Sequence, residues 1–164
     1  SMDANGQDLK LHEMTSELFT TGVPLNDQFY LLGRDASGRS ALMNFQLSLT
    51  QRGSLNFIQN AGYSQSFTWS DMSVQMNRLV ILESFLSVLT PSSSIYEHRI
   101  ISQDRQILAN LNGVNGTPAQ IKTLDQEKVA VISYNGGTKF LTIVDLGTGE
   151  TRLLSALPIN AVLH

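Results

Sequence analysis

The chain has 164 residues, with no cysteine, only 4 prolines and a single tryptophan. Without thiols there is no disulfide framework, no thiolate zinc site and no cysteine nucleophile, and the compartment stays open. Charge is also scarce. Charged residues make up 15% of the chain, against about a quarter in typical domains, and Ser, Thr, Asn and Gln stand in their place. Such a surface suits a secreted or envelope protein, or one largely covered by partners. The formal net charge of -3 lacks the basic footprint that a phosphate-backbone binder needs, so nucleic acid is not an expected partner. No run is long and apolar enough to span a bilayer: the longest, Leu79–Leu89, is interrupted by Glu83, Ser84 and Ser87. No signal peptide opens the chain, and Ser1-Met2 reads as the scar of a cleaved tag. The length fits one β-rich domain over residues 9–164 behind a disordered stretch at 1–8, with enough chain to bury a core.

Catalytic and metal-binding patterns are missing as well. His12, His98 and His164 form no His-x-His or His-x3-His pair, so local spacing assembles no metal site. The carboxylates are scattered, and neither a Gly-x-Ser-x-Gly elbow nor a phosphate-binding glycine loop occurs. Asp35-x-Ser37-Gly38 lacks the run of oxygen ligands of a calcium loop and reads as a turn. No catalytic residue, metal ligand or cofactor is expected. The candidates for contacting a partner are Trp69, because aromatic residues anchor interfaces, and Tyr96, His98 and Arg99 near the Ser-rich loop at 91–94. A lone tryptophan in Phe67-Thr68-Trp69 is more often a core residue, and His98 more often a solvated or rim residue.

What is present is β structure. Lys128–Tyr134 and Lys139–Leu146 are rich in Val, Ile, Phe and Thr, which fit a pleated, half-buried surface. Between them Asn135-Gly136-Gly137 tolerates the positive φ of a tight primed turn, a strong hairpin signal. Gly147-Thr148-Gly149-Glu150 turns the chain again into Thr151–Leu154, giving a three-stranded meander with open edges. Upstream, Gln28–Gly33 and Leu55–Ile58 read as strands, and Ala41–Leu49 alternates with period two. Thr20-Thr21-Gly22 breaks the pattern, Asn26-Asp27 turns, and Asn112–Pro118 is a loop before a strand at Ala119–Thr123. Ile95–Ile101 and Gln106–Leu111 form a hairpin. Asp71–Thr90 carries two readings. It has the length and the proline stop of a helix, yet its apolar residues surround the helix axis, which demands complete burial. As strands, Asn77–Ser84 and Phe85–Thr90 are ordinary buried runs.

Phe29, Leu79 and Val129 each open an apolar strand, at positions fifty apart. A second and a short third strand follow each one. Periods of about 40–50 residues with short strands point to propeller blades. In the third unit, Thr142–Leu154 with Pro158–His164 resembles the third and fourth strands of a WD-type or TolB-like β-propeller blade, which carries an aspartate and a Thr-Gly turn at this point. The Trp-Asp dipeptide and Gly-His pair of that family are absent, with Val144-Asp145 in place of the first. The resemblance implies an all-β, propeller-like stack of about three antiparallel blades. Since closure usually takes at least four blades, the chain is then a piece of a larger propeller, completes its ring with another chain, or forms an open blade stack. The alternatives are another all-β fold, or an α+β fold with a helix at 71–90.

Three functions fit these patterns. The first is a non-catalytic protein-interaction or scaffold module of a larger assembly, meeting a protein partner or its own copies through open sheet edges. The second is an accessory or adaptor domain of the bacterial envelope that binds a peptide or lipidic ligand. The third is an enzyme whose site forms only in three dimensions. The apolar tail Ile159–Leu163 is expected to pair as a strand.

Overall fold

The Asn135–Thr138 hairpin turn forms as its residues dictate. Gly136 and Gly137 sit at φ 56° and 85°, the left-handed region that glycine enters without a Cβ clash. The strands it joins pair in unbroken antiparallel register, from Lys128 opposite Asp145 to Asn135 opposite Thr138. The computed structural model describes residues 19–35, 37–46, 55–60, 67–90 and 93–157, and this hairpin is the centre of one of its three sheets. Sheet one contains β1 (Phe19–Leu25), β2 (Gln28–Arg34), β3 (Ser40–Gln46) and β4 (Leu55–Asn60). Sheet two contains β5 (Phe67–Gln75), β6 (Arg78–Thr90), β7 (Ser93–Ser102) and β8 (Ile107–Asn110), and sheet three β9 (Thr117–Thr123), β10 (Lys128–Asn135), β11 (Thr138–Asp145) and β12 (Thr151–Leu157). Each sheet is an antiparallel meander in chain order. The fold is all-β among the described residues, and no helix there is long and apolar enough to cross a membrane.

The helical reading of 71–90 is overturned. Residues 71–75 end β5, the chain turns at Met76-Asn77, and β6 runs unbroken from Arg78 to Thr90. The all-round apolar pattern has a simple cause. Leu79 and Ile81 face sheet one, Val80 and Leu82 face sheet three, and all four are fully buried. A strand with a sheet on each side has no polar face to display. Sheet two is therefore the middle layer. One core joins Leu32 and Leu42 to Trp69, Met72, Leu79, Ile81 and Ile101. The other joins Val80, Leu82 and Ile100 to Ile121, Val129, Val131 and Val144.

Each sheet has four strands, where the sequence reading placed three. The strands it passed over or only half saw are β1, β5 and β9, the first in each sheet. Thr20–Gly22 is strand rather than a break, and Thr117-Pro118 is strand rather than loop. Polar residues mask these strands because the polarity serves the next sheet. The backbone N–H of Ile121 donates to Asp71 Oδ2 at 2.7 Å, and that of Thr123 donates to Ser73 Oγ at 3.0 Å. The Ser73 and Thr123 hydroxyls lie 3.1 Å apart, and Gln75 Nε2 donates to the Asp125 carbonyl at 3.4 Å. β5 and β9 thus run side by side in the same direction, fastened by side chains rather than by a ladder. β1 packs on β5 in turn. The predicted tail strand at Ile159–Leu163, His12 and His164 lie outside the described residues.

Candidate functional site

Of the four predicted partner-contacting residues, two converge on one buried carboxylate. Glu83 lies opposite Trp69 on β5 and Arg99 on β7, and its side chain is fully buried. Trp69 Nε1 donates to Glu83 Oε2 at 2.8 Å, and Arg99 Nε donates to Oε1 at 2.7 Å. Arg105, from the β7–β8 turn, reaches Oε2 at 3.2 Å. The two guanidinium groups lie over the Phe67 ring, 4.5 Å away for Arg105 and 5.6 Å for Arg99, and Phe67 stacks on Phe85 at 4.6 Å. Both carboxylate oxygens are occupied by charged or N–H donors, as a buried ion requires. The cluster has no acceptor left for a reacting proton, so it locks β5, β6 and β7 together. Trp69 is 3% exposed and its backbone N–H donates to Ser40 Oγ at 3.1 Å. It is a core residue between sheets one and two, not a surface anchor.

Tyr96 and His98 stand further along β7. β6 pairs with β7 from Val80–Ser102 to Thr90–Ser93, whereas β5 ends opposite Phe85 and β8 reaches only Arg99–Ile101. The Leu111 N–H still donates to the His98 carbonyl at 2.8 Å; beyond His98 and Phe85, among the described residues, β6 and β7 pair only with each other and run on as a two-stranded arm. Tyr96 is 62% exposed and Ile95 45%. The Tyr96 and His98 rings lie on one side with centroids 6.5 Å apart, as alternation along a strand requires. Burial holds His98 below its ordinary pKa, so it is neutral at pH 7.

No protein-family model matches the chain, and a search of curated proteins finds no match to it. Its chemistry has to be read from its own residues.

At the opposite end of sheets two and three lies a feature that sequence reasoning missed. The β5–β6 turn puts Met76 at φ 54° with 67% of its surface exposed, and Leu124 in the β9–β10 connection is 55% exposed. Between these turns is a shallow depression of about 290 Å³, lined by Val74, Gln75, Met76, Thr123, Leu124 and Asp125 among others. Gln75 is 2% exposed; its side-chain Oε1 accepts from Arg78 Nε at 3.0 Å, which stiffens the wall. The one sequence signal was Met-Asn in a two-residue turn, where Asn-Gly is the common choice. Beside it, Asp125 Oδ1 accepts from the N–H groups of Glu127 and Lys128 at 2.8 and 2.7 Å, and these bonds keep its carboxyl below the usual range. Asp145 is lowered in the same way by the N–H groups of Thr148 and Gly147. Asp35 accepts from Ser37 and Arg39, confirming turn chemistry at that site. Among the described residues no group of three or more His, Asp or Glu is placed to hold a metal.

Proposed function

We propose that the chain is a non-catalytic interaction module: three propeller-like blades that belong to a larger assembly and meet further sheets through the outer faces of sheets one and three. One observation carries this reading. The outer faces have the same character as the faces already packed between the sheets. The outer side of sheet three presents Ala130 opposite Ile143 and Ile132 opposite Leu141, and that of sheet one presents Leu31 opposite Met43, with Phe29 and Ala41 on the same side. The inner faces carry Val80, Leu82 and Ile100, or Leu79, Ile81 and Ile101. Within the single chain Met43 and Ile132 at the centres of these faces are already 0% exposed, so the apolar surface left for a partner is that of half-buried Phe29, Leu31, Leu141 and Ile143. Gln120 Oε1, on the same side as Ile132, is buried without a hydrogen-bond partner, a cost that a neighbouring donor would remove.

Two further features support the blade reading. The inner strands β1, β5 and β9 pack in succession while the later strands of each meander lie farther out. The Asp145-x-x-Thr148-Gly149 turn closes with Asp145 Oδ1 accepting from Gly147 and Thr148 at 2.9 Å each and Gly149 at φ 74°. The arm bearing Ile95 and Tyr96 adds a second surface for a protein partner.

Light scattering over a range of concentrations tests the reading. The expected mass exceeds the 18.0 kDa of one chain, and Leu141→Lys returns it to a single chain. A single-chain mass throughout, with the amides of β10 and β11 strongly protected from exchange, would mean that the chain closes its own faces, and the reading fails.

A further inference from the structure

The seam between sheets two and three follows a register that extends to both free ends of the stack. On β5, Asp71 and Ser73 lie opposite Leu82 and Val80 of β6. They accept the N–H groups of Ile121 and Thr123 on β9, residues that lie opposite Val131 and Val129 of β10. Leu82 and Val80 stand fifty residues before Ile132 and Ala130, whose partners on β9 are Gln120 and Lys122. On the outer face of sheet three, Gln120 and Lys122 therefore hold the places of Asp71 and Ser73. At the other end, Leu31 and Phe29 stand one hundred residues before Val131 and Val129, and their partners on β1 are Gly22 and Pro24. On the outer face of sheet one, Gly22 and Pro24 hold the places of Ile121 and Thr123.

The two ends are complementary group by group. Along an antiparallel pair, alternate residues turn their N–H and C=O away from the partner strand. Ile121 and Thr123 are such residues, since their N–H groups reach another sheet, and by register so are Gly22 and Pro24. Gly22 offers an outward N–H, and the place that would face it belongs to Gln120, whose Oε1 is buried without a hydrogen-bond partner. Pro24 has no N–H to offer, and the place that would face it belongs to Lys122, whose side chain has no acceptor. Donor meets acceptor at one position, and both are missing at the other. Gln120 as a whole is half-buried, so its amide has room to turn toward a partner. Half-buried Leu141 and Ile143 on one end and Phe29 and Leu31 on the other supply the apolar contact. Counting sheets sets the number of copies. Propellers typically close with about four to eight blades. One copy has three sheets, two supply six and three would supply nine.

We propose that two copies of the chain close into one ring of six sheets, with sheet three of each against sheet one of the other. Gln120 Oε1 accepts the Gly22 N–H of the second copy at both junctions, and β9 runs beside that copy's β1 in the same direction. The inference rests on the reading of the outer faces as interfaces, and it adds the occupant and its orientation.

Disulfide cross-linking tests it, because the chain has no cysteine of its own. The Ser73 and Thr123 hydroxyls lie 3.1 Å apart, so thiols at the equivalent Lys122 and Pro24, both exposed, fall within disulfide reach across a junction. The oxidised Pro24→Cys/Lys122→Cys chain should run as a covalent dimer on a denaturing gel, with nothing larger, since a closed ring has no free end. Each single variant should stay a single chain, and an equimolar mixture of the two should give the dimer. In sedimentation, Gln120→Met should raise the dimer dissociation constant about tenfold, the scale of one buried hydrogen bond lost at each junction. A dimer from Lys122→Cys alone, a ladder beyond the dimer, no cross-link in the double variant, or an unchanged constant for Gln120→Met would each overturn the proposal. If the mass in light scattering still exceeds one chain, only this proposal falls; a single-chain mass removes the outer-face reading as well.

Discussion

Gly116 and Gly136 show how little a residue type says without its surroundings. Both have positive φ, 81° and 56°. At Gly136 nothing lies within 4 Å of the position a Cβ would take, whereas at Gly116 that position is 2.2 Å from the Tyr134 carbonyl oxygen. Gly136→Ala therefore carries only the left-handed backbone term, about 1–2 kcal/mol. Gly116→Ala adds a backbone collision that no rotamer relieves, so β9 must part from β10, and the cost should exceed the roughly 1–3 kcal/mol of backbone strain alone. Thermal melts of the two variants check this, with the larger drop expected for Gly116→Ala. Equal melting temperatures would show that the loop at 112–116 yields freely. The Asn135-Gly136 turn was legible because its signal is local. The role of Gly116 was not, because the atom that excludes a Cβ lies eighteen residues along the chain on another strand.

Strands were legible to the extent that they use their own side chains for a core. Gln28–Gly33, Ala41–Gln46 and Lys128–Tyr134 announce themselves by alternation or by apolar runs, and Leu47–Leu49 of the predicted run lie outside the described residues. β5 and β9 do not, because Asp71, Ser73 and Thr123 spend their polar atoms on a strand of another sheet. That seam responds to pH. Burial raises the Asp71 carboxyl above its ordinary value, against the hydrogen bonds from Ile121, Met72 and Thr21 that pull it down. With the folded pKa above the unfolded one, this group's contribution to stability is complete below the ordinary carboxylate range. It is lost as pH rises through the folded pKa. Asp71→Asn retains an acceptor for the Ile121 N–H but cannot ionise. Urea midpoints at pH 4 and pH 7 should show the variant gaining on wild type at the higher pH. A gap that stays constant, or that widens against the variant, would mean that the ionised carboxylate is the form the seam prefers. The Glu83 cluster was half visible: Trp69 and Arg99 drew notice as surface candidates, but only pairing across β5, β6 and β7 brings them to one carboxylate.

At the scale of the whole molecule, the middle sheet couples the other two, and adjacent residues of β6 report on different neighbours. Ile81 belongs to the core shared with sheet one and Leu82 to the core shared with sheet three. Ile81→Ala and Leu82→Ala should each cost about 2–5 kcal/mol, the usual range for a fully buried aliphatic side chain. Hydrogen exchange should separate them. Ile81→Ala is expected to speed exchange in β2 and β3, and Leu82→Ala in β9 and β10. Identical protection maps would show that the three sheets open only as one unit. The order of the sheets also has a consequence for synthesis. Sheet one is complete once Asn60 has been made, but the side chains that cover its inner face extend to Ile101. At about 5–20 residues per second, Leu32 and Leu42 wait roughly 2–8 s on the nascent chain with their oily side open to the cell. A holdase would find its binding site in that interval, and slowing translation between residues 60 and 101 would lengthen it.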